Sequence, residues 1–196
     1  CSGRRIAHLA REPRTLSAPL DSLHRALHVR PMPSPLVLQD IVALALAAGR
    51  EIMAVRAAGI DAQVKADGSL VTIADQRAEV IIEAGLIALA PNIPMLGEEA
   101  VAAGRVPRCG DRFFCVDPLD GTRGFAKGGD EFTVNIALIE HGTPTYGVVY
   151  APATGELYAG EPGVAIAGKC HPRTSQLLAP MSRISAAAAM PSAPRI

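Results

Sequence analysis

Arg112-Phe113-Phe114-Cys115-Val116-Asp117-Pro118-Leu119-Asp120-Gly121-Thr122 is the stretch on which the fold turns. An apolar run ends in two carboxylates three residues apart, with a proline between them and Gly-Thr behind. The run Phe113 to Val116 predicts a short buried strand, rich in aromatic and β-branched residues and closed by a turn signal. Pro118 has no N–H for a ladder and Gly121 permits a bend, so the chain is expected to turn there. Asp-Pro and Asp-Gly are also ordinary turn dipeptides, and on their own they carry no chemistry. Two aspartates on a rigid turn at a strand end also suit a hard, oxygen-seeking cation such as Mg²⁺. The Gly121 and Thr122 amides face an anion if a helix opens at that point.

Around this centre the 196-residue chain alternates helical and strand-like stretches, an α+β pattern with two long helices and an antiparallel sheet. Leu36 to Ala58 predicts a helix capped by Ser34, with Pro35 at its first position and Gly59 as its stop. Its apolar run, Ile41 to Ala48, is too short to span a bilayer. Asp61 to Asp67 predicts a short strand and turn, and a second helix runs from Thr72 to Pro91. Asp75 stands three residues after Thr72, the spacing of a capping box with Asp in place of the usual Glu or Gln. Ile93 to Leu96 predicts a strand from whose end Gly97-Glu98-Glu99 leaves, and Ala100 to Asp111 predicts a loop. Beyond the central turn come a short helix over Arg123 to Lys127 and an antiparallel meander: Phe132 to Glu140, Thr145 to Tyr150 and Glu156 to Ala159. Gly163 to Ala167 is a candidate last strand. His141, at a turn, is expected in solvent.

Composition narrows the function classes. Hydrophobic residues make up 49% and charged residues 19%, as in a globular domain and unlike a disordered chain. Lys+Arg and Asp+Glu are both 19, so no net field recruits nucleic acid or an anionic membrane. Aromatics at 4% with no Trp argue against a base-stacking surface. Cys1, Cys109, Cys115 and Cys170 form no C-x-x-C pair or zinc spacing, which fits a reducing cytoplasm, with Cys115 expected as a small buried hydrophobe. Residues 1–33 carry Arg4, Arg5, Arg11, Arg14, Arg25 and Arg30 against only Glu12 and Asp21. Such a start mimics a transit peptide, but it has no apolar signal core and is expected to be a disordered leader or upstream sequence before Met32. His8, His24 and His28 are expected to be solvated there. Residues 34–168 form the expected α+β domain, and the Ala-, Ser- and Pro-rich 169–196 a linker or tail.

Three motifs in order, Lys65-Ala66-Asp67-Gly68-Ser69-Leu70-Val71-Thr72-Ile73-Ala74-Asp75, then Gly97-Glu98-Glu99, then Asp117 to Thr122, resemble the inositol monophosphatase superfamily of metal-dependent phosphatases. Asp130 to Ile139 and Gly147-Val148-Val149-Tyr150-Ala151-Pro152 look like its CysQ-type 3′(2′),5′-bisphosphate nucleotidase branch. The resemblance spans about Ser34 to Ala159. It implies the amino-terminal part of a layered α/β/α/β/α sandwich. It further implies two or three Mg²⁺ ions on Glu98, Asp117, Asp120 and the Leu119 carbonyl, with Asp75 and Thr122 deprotonating the attacking water. Glu98, Leu119, Asp120, Gly121 and Thr122 would meet the substrate. The implied partner is a small phosphorylated nucleotide, 3′-phosphoadenosine 5′-phosphate, hydrolysed to AMP and phosphate. The implied location is cytoplasmic, free or peripheral at the inner membrane face. An inositol or fructose-1,6-bisphosphate type phosphatase and a non-enzymatic metal-binding remnant are the alternatives. The superfamily's later W-D-x-A aspartate has no counterpart here, and no Asp or Glu follows Ala167. A truncated chain is therefore expected, with self-association through its exposed face.

Overall fold

The computed structural model describes residues 38–60, 62–64, 68, 70–171, 176, 178–179 and 181–184. The leader, the Ser34-Pro35 cap, Lys65 to Asp67, Ser69 and the end from 185 onward lie outside the described residues.

Helix α1, Leu38–Ala58, buries Ile41, Ala45, Ala48 and Ile52 along one stripe and stops where Gly59 turns left-handed. Strands β1, Ala62–Val64, and β2, Leu70–Thr72, pair as a small antiparallel ribbon. The sequence starts the second helix at Thr72 and reads Thr72 and Asp75 as its cap. In the structure β2 runs up to Thr72, which caps α2, Ile73–Leu89. The expected capping box is present: Ala74 N–H donates to Thr72 Oγ1 at 3.1 Å, and Thr72 N–H donates to Asp75 Oδ2 at 2.7 Å.

Seven strands follow in one sheet: β3 (Met95–Gly97), β4 (Arg112–Asp120), β5 (Thr133–Glu140), β6 (Thr143–Ala151), β7 (Glu156–Glu161), β8 (Val164–Lys169) and β9 (Ser182–Arg183). They lie side by side in chain order, with β3 parallel to β4 and every other pair antiparallel. The β3 strand starts later than Ile93 because Ile93 N–H closes a turn onto Ala90 O and Pro94 has no N–H to give. Two further expectations change. Ala100 to Ala102 are helical, part of α3 (Glu98–Ala102), so the loop begins later. Ser182 and Arg183, expected in the tail, pair with Ala167 and Ile166, and Cys170 is buried. The short helix after the central turn is α4, Thr122–Ala126.

Helices α1 and α2 pack on each other and on one face of the sheet, against Phe114, Val116, Val134, Ile136, Leu138, Val148 and Tyr150. These side chains alternate with outward ones, as the period of two requires. The parity corrects one expectation: Cys115 lies between buried Phe114 and Val116, faces the other way, and is exposed. That outer face is open, with Val149 44% and Tyr158 50% exposed. Arg56 of α1 pins the segment after α4. It pairs with Asp130 at 2.8 Å, donates to Gly128 O at 2.9 Å and covers the Phe132 ring, which meets Phe125 edge-on. His141 sits at the β5–β6 turn with its side chain 84% exposed, as expected.

Candidate active site

The two aspartates of the central stretch are three residues apart, so in a regular strand they would point to opposite faces. The chain does not end its strand at Pro118 as the turn signal predicts; β4 continues to Asp120 with a bulge. Asp117 pairs with Asn135 and Asp120 with Thr133, so three steps on β4 match two on β5. One extra residue flips the parity and brings both carboxylates to the same side. Pro118 sits in this irregularity, where a central strand tolerates a missing N–H. Leu119 N–H donates to Asp117 Oδ1 at 3.1 Å, which fixes the bend.

Glu98 opens α3 at the end of β3, which lies against β4 with Gly97 opposite Val116. That register delivers Glu98 to Asp117. Burial first, then the Glu98 carboxylate beside it and Asp120 beyond, push the Asp117 carboxyl up to about 7, only partly offset by the Leu119 N–H. Among the described residues no three acidic, histidine or cysteine side chains are set closely enough to cage an ion as they stand. The reason is chemical: Glu98 and Asp117 hydrogen-bond to each other, while Asp120 leans toward Asn135, whose Nδ2 donates to Oδ2 at 3.4 Å. The donor set nonetheless fits Mg²⁺. It is all oxygen and anionic, and Asp117 and Glu98 carry a mutual repulsion that either a shared proton or a cation relieves.

Asp75 and Thr122, 47 residues apart, meet here. Thr122 Oγ1 lies 2.8 Å from Asp75 Oδ1 and 2.9 Å from Leu119 O, so its single proton has two acceptors. Asp75 is fully buried, and its Oδ2 also accepts from Thr72 Oγ1 at 2.6 Å. Every contact is donated to it, as suits a carboxylate that can only accept. The capping box and the Thr122 bond thus use different oxygens of one side chain. The Leu119 carbonyl, predicted as a ligand, already accepts from Thr122 and has a second lone pair to offer.

Gly121 joins the strand to α4 at φ +95°, and a Cβ there would stand 2.6 Å from Glu131 O. Gly121→Ala is therefore expected to lower stability by about 2–4 kcal/mol, combining left-handed strain with a backbone clash. A urea titration checks this; a loss below about 0.5 kcal/mol would mean that the turn relaxes freely.

Two residues of the site escape a reading of the sequence. Glu79, 4% exposed, accepts from Glu99 N–H and Ala100 N–H, both at 2.8 Å. It replaces the side-chain cap that Gly97 cannot provide, and a Cβ on Gly97 would strike its Oε2 at 2.8 Å. Burial raises its carboxyl above the ordinary glutamate range, against the two amides that lower it. Glu79 follows Asp75 by four residues on the buried stripe of Ala74, Ala78 and Ile82, a placement that marks it as an inward acid. Asn135 is the second, and only strand register reveals it.

Residues 35–189 match the Inositol monophosphatase family. The 3′(2′),5′-bisphosphate nucleotidase CysQ of Shigella flexneri is 46% identical over 136 residues, covering 68% of this chain and 55% of that protein. Among solved structures, CysQ from Bacteroides thetaiotaomicron, a bacterial member of the inositol monophosphatase family, superposes with TM-score 0.51 at 36% identity. The match covers 67% of this chain and 48% of that one. The extragenic suppressor protein SuhB from Bartonella henselae gives TM-score 0.58 at 31% identity, covering 68% and 53%. The chain spans about half the length of the curated relatives it matches. With the bulged Asp-Pro-Leu-Asp strand end, the Glu-Glu helix start and the Thr72–Asp75 cap that Thr122 joins to it, and the family match over residues 35–189, this chain belongs to the inositol monophosphatase family.

Proposed function

We propose that this chain carries the amino-terminal part of a Mg²⁺-dependent phosphomonoesterase that converts 3′-phosphoadenosine 5′-phosphate to AMP and phosphate. The observation that carries the reading is the meeting of Asp75 and Thr122 beside the carboxylates of Glu98, Asp117 and Asp120. The similarity to CysQ nucleotidases supports the choice of substrate.

Phosphate monoesters hydrolyse so slowly that charge neutralisation and an activated water must supply most of the rate. Glu98, Asp117, Asp120 and the Leu119 carbonyl would hold Mg²⁺, which when bound neutralises the phosphoryl oxygens and acidifies a water. Thr122 Oγ1 accepts a hydrogen bond from the attacking water and passes its own proton to Asp75 Oδ1, 2.8 Å away. Burial of Asp75 and its two bonds from Thr72 keep that acceptor from rotating. The Gly121 and Thr122 amides orient the phosphate, and the water oxygen bonds to phosphorus as the ester oxygen leaves and takes up a proton.

A second reading is metal binding without turnover, favoured by the pairing of the Glu98 and Asp117 carboxylates, which a cation relieves whether or not a substrate is turned over. Phosphate release from 3′-phosphoadenosine 5′-phosphate, assayed beside inositol 1-phosphate and with and without chelator, separates the possibilities. Release from the nucleotide that chelation abolishes is the expected result. Calorimetric Mg²⁺ uptake without release from either substrate would replace it with the second reading, and preference for the inositol ester would move the substrate. The open sheet face around Val149 and Tyr158 supports self-association, which sedimentation at several concentrations tests. Among the described residues no helix is long and apolar enough to cross a membrane, and no observation supports attachment to a membrane surface.

A further inference from the structure

Asn135 stands on β5 directly opposite Asp117, on the open side of the sheet. Its two polar atoms are treated very differently. Nδ2 donates to Asp120 Oδ2 at 3.4 Å, while Oδ1 is buried with no hydrogen-bond partner. Among the described residues only one other buried side-chain atom, His171 Nδ1, is left so. An orphaned buried acceptor costs about 1–3 kcal/mol, so an asparagine that served packing alone would gain by turning over or by being replaced with an apolar residue. It cannot turn over: that would set Oδ1 against the Asp120 carboxylate, acceptor to acceptor. The neighbours along the same open face, Cys115, Ala137, Val149 and Tyr158, offer the amide no better role as a core group.

We propose that Asn135 is a positioning residue of the carboxylate site. Its NH₂ group holds Asp120 on the side of the bulge where Asp117 lies, and the unpartnered Oδ1 is the stability given up for that hold. The inference rests on the proposed role of Asp117 and Asp120 as cation ligands, and adds a residue from the neighbouring strand to it. Without Asn135, Asp120, exposed and at the end of its strand, has many rotamers to sample, and gathering it onto a cation costs the entropy that the amide bond now withholds.

Asn135→Leu and Asn135→Gln in the 196-residue chain test this with two readouts, Mg²⁺ affinity by calorimetry and thermal stability in chelator. The leucine variant is expected to bind Mg²⁺ about tenfold more weakly, at the low end for partners of metal ligands. Its melting temperature in chelator should be unchanged or higher, since it removes the orphaned acceptor. Glutamine, which keeps the NH₂ group, should stay within about threefold of the parent in affinity. A merely structural asparagine would give the reverse pattern: a lower melting temperature in Asn135→Leu with Mg²⁺ affinity intact. That pattern, or equal affinity in all three chains, overturns the inference while leaving the cation site standing. A parent chain that takes up no Mg²⁺ removes both.

Discussion

Asp117→Asn is expected to melt at a higher temperature than the parent chain in chelator and at a lower one in saturating Mg²⁺. The first half follows from the carboxyl's surroundings. Burial and the neighbouring Glu98 and Asp120 lift it from 3.8 to about 7, so the folded state holds a proton that the unfolded state has released. Where the native state binds more protons than the unfolded one, stability falls with rising pH. The window is 3.8 to about 7: the parent keeps this contribution below it, loses it progressively through it, and changes no further above. Asparagine keeps the shape and removes the titration. The difference in melting temperature should thus be near zero at acid pH and reach a plateau above neutrality. Asp117 is partly exposed, so solvent screening reduces the effect to about 1–2 kcal/mol, or roughly 3–8 °C for a chain of this size. The second half follows from mass action. A ligand that binds only the folded parent stabilises it, and a variant without the central carboxylate loses that gain along with more than about a hundredfold in affinity. Melting curves at pH 5 and pH 8, each with chelator and with Mg²⁺, give four points and one required crossing. Absence of the crossing would sink the assignment of Asp117 to a cation.

The sequence predicts the elements well wherever one local rule decides. Gly59 stops α1, Thr72 and Asp75 cap α2, and His141-Gly142 turns the meander, because each rests on backbone chemistry within a few residues. Parity is where it fails. The run Phe113 to Val116 reads as uniformly buried, yet a sheet covered on one face sends Cys115 outward. The same parity places Asp117 and Asp120 on opposite faces until a bulge is known, and Pro118 hints at the irregularity without saying in which direction it shifts the ladder. Asn135 was out of reach for a stronger reason. Its meaning comes from Asp117 and Asp120 across the ladder, and neither propensity nor pattern, only the β4–β5 register with its bulge, brings them beside it. The roles proposed for Asp75, Thr122 and Glu98 come from motif resemblance, and packing supplies the Thr122–Asp75 distance.

Glu79→Ala is expected to destabilise the start of α3 more severely than substitution of any of the carboxylates proposed as ligands. Both oxygens of Glu79 accept backbone N–H groups at the start of α3, and Gly97 offers no side chain to replace them. Alanine would leave the Glu99 and Ala100 amides unpaired and open a void beneath the β3–α3 joint. Each unpaired buried donor costs about 1–3 kcal/mol, so a loss of about 2–4 kcal/mol is expected when partial access of water is allowed for. Glu79→Gln divides the two contributions. Its carbonyl keeps one acceptor while its NH₂ faces the other amide donor to donor, so it should lose about half as much. The raised carboxyl of Glu79 gives a sign check of its own. Burial favours its neutral form, so its charge lowers stability as pH rises above 4.5, and the gap between parent and Glu79→Gln should narrow toward neutral pH. Hydrogen exchange at Glu99 and Ala100 reads the site directly: both amides should exchange faster in the alanine variant, with those of β5 and β6 slowed as in the parent. If α3 stays protected without Glu79, then Glu98 is placed by β3 alone, and the buried acid is a tolerated charge with no part in holding the carboxylate cluster.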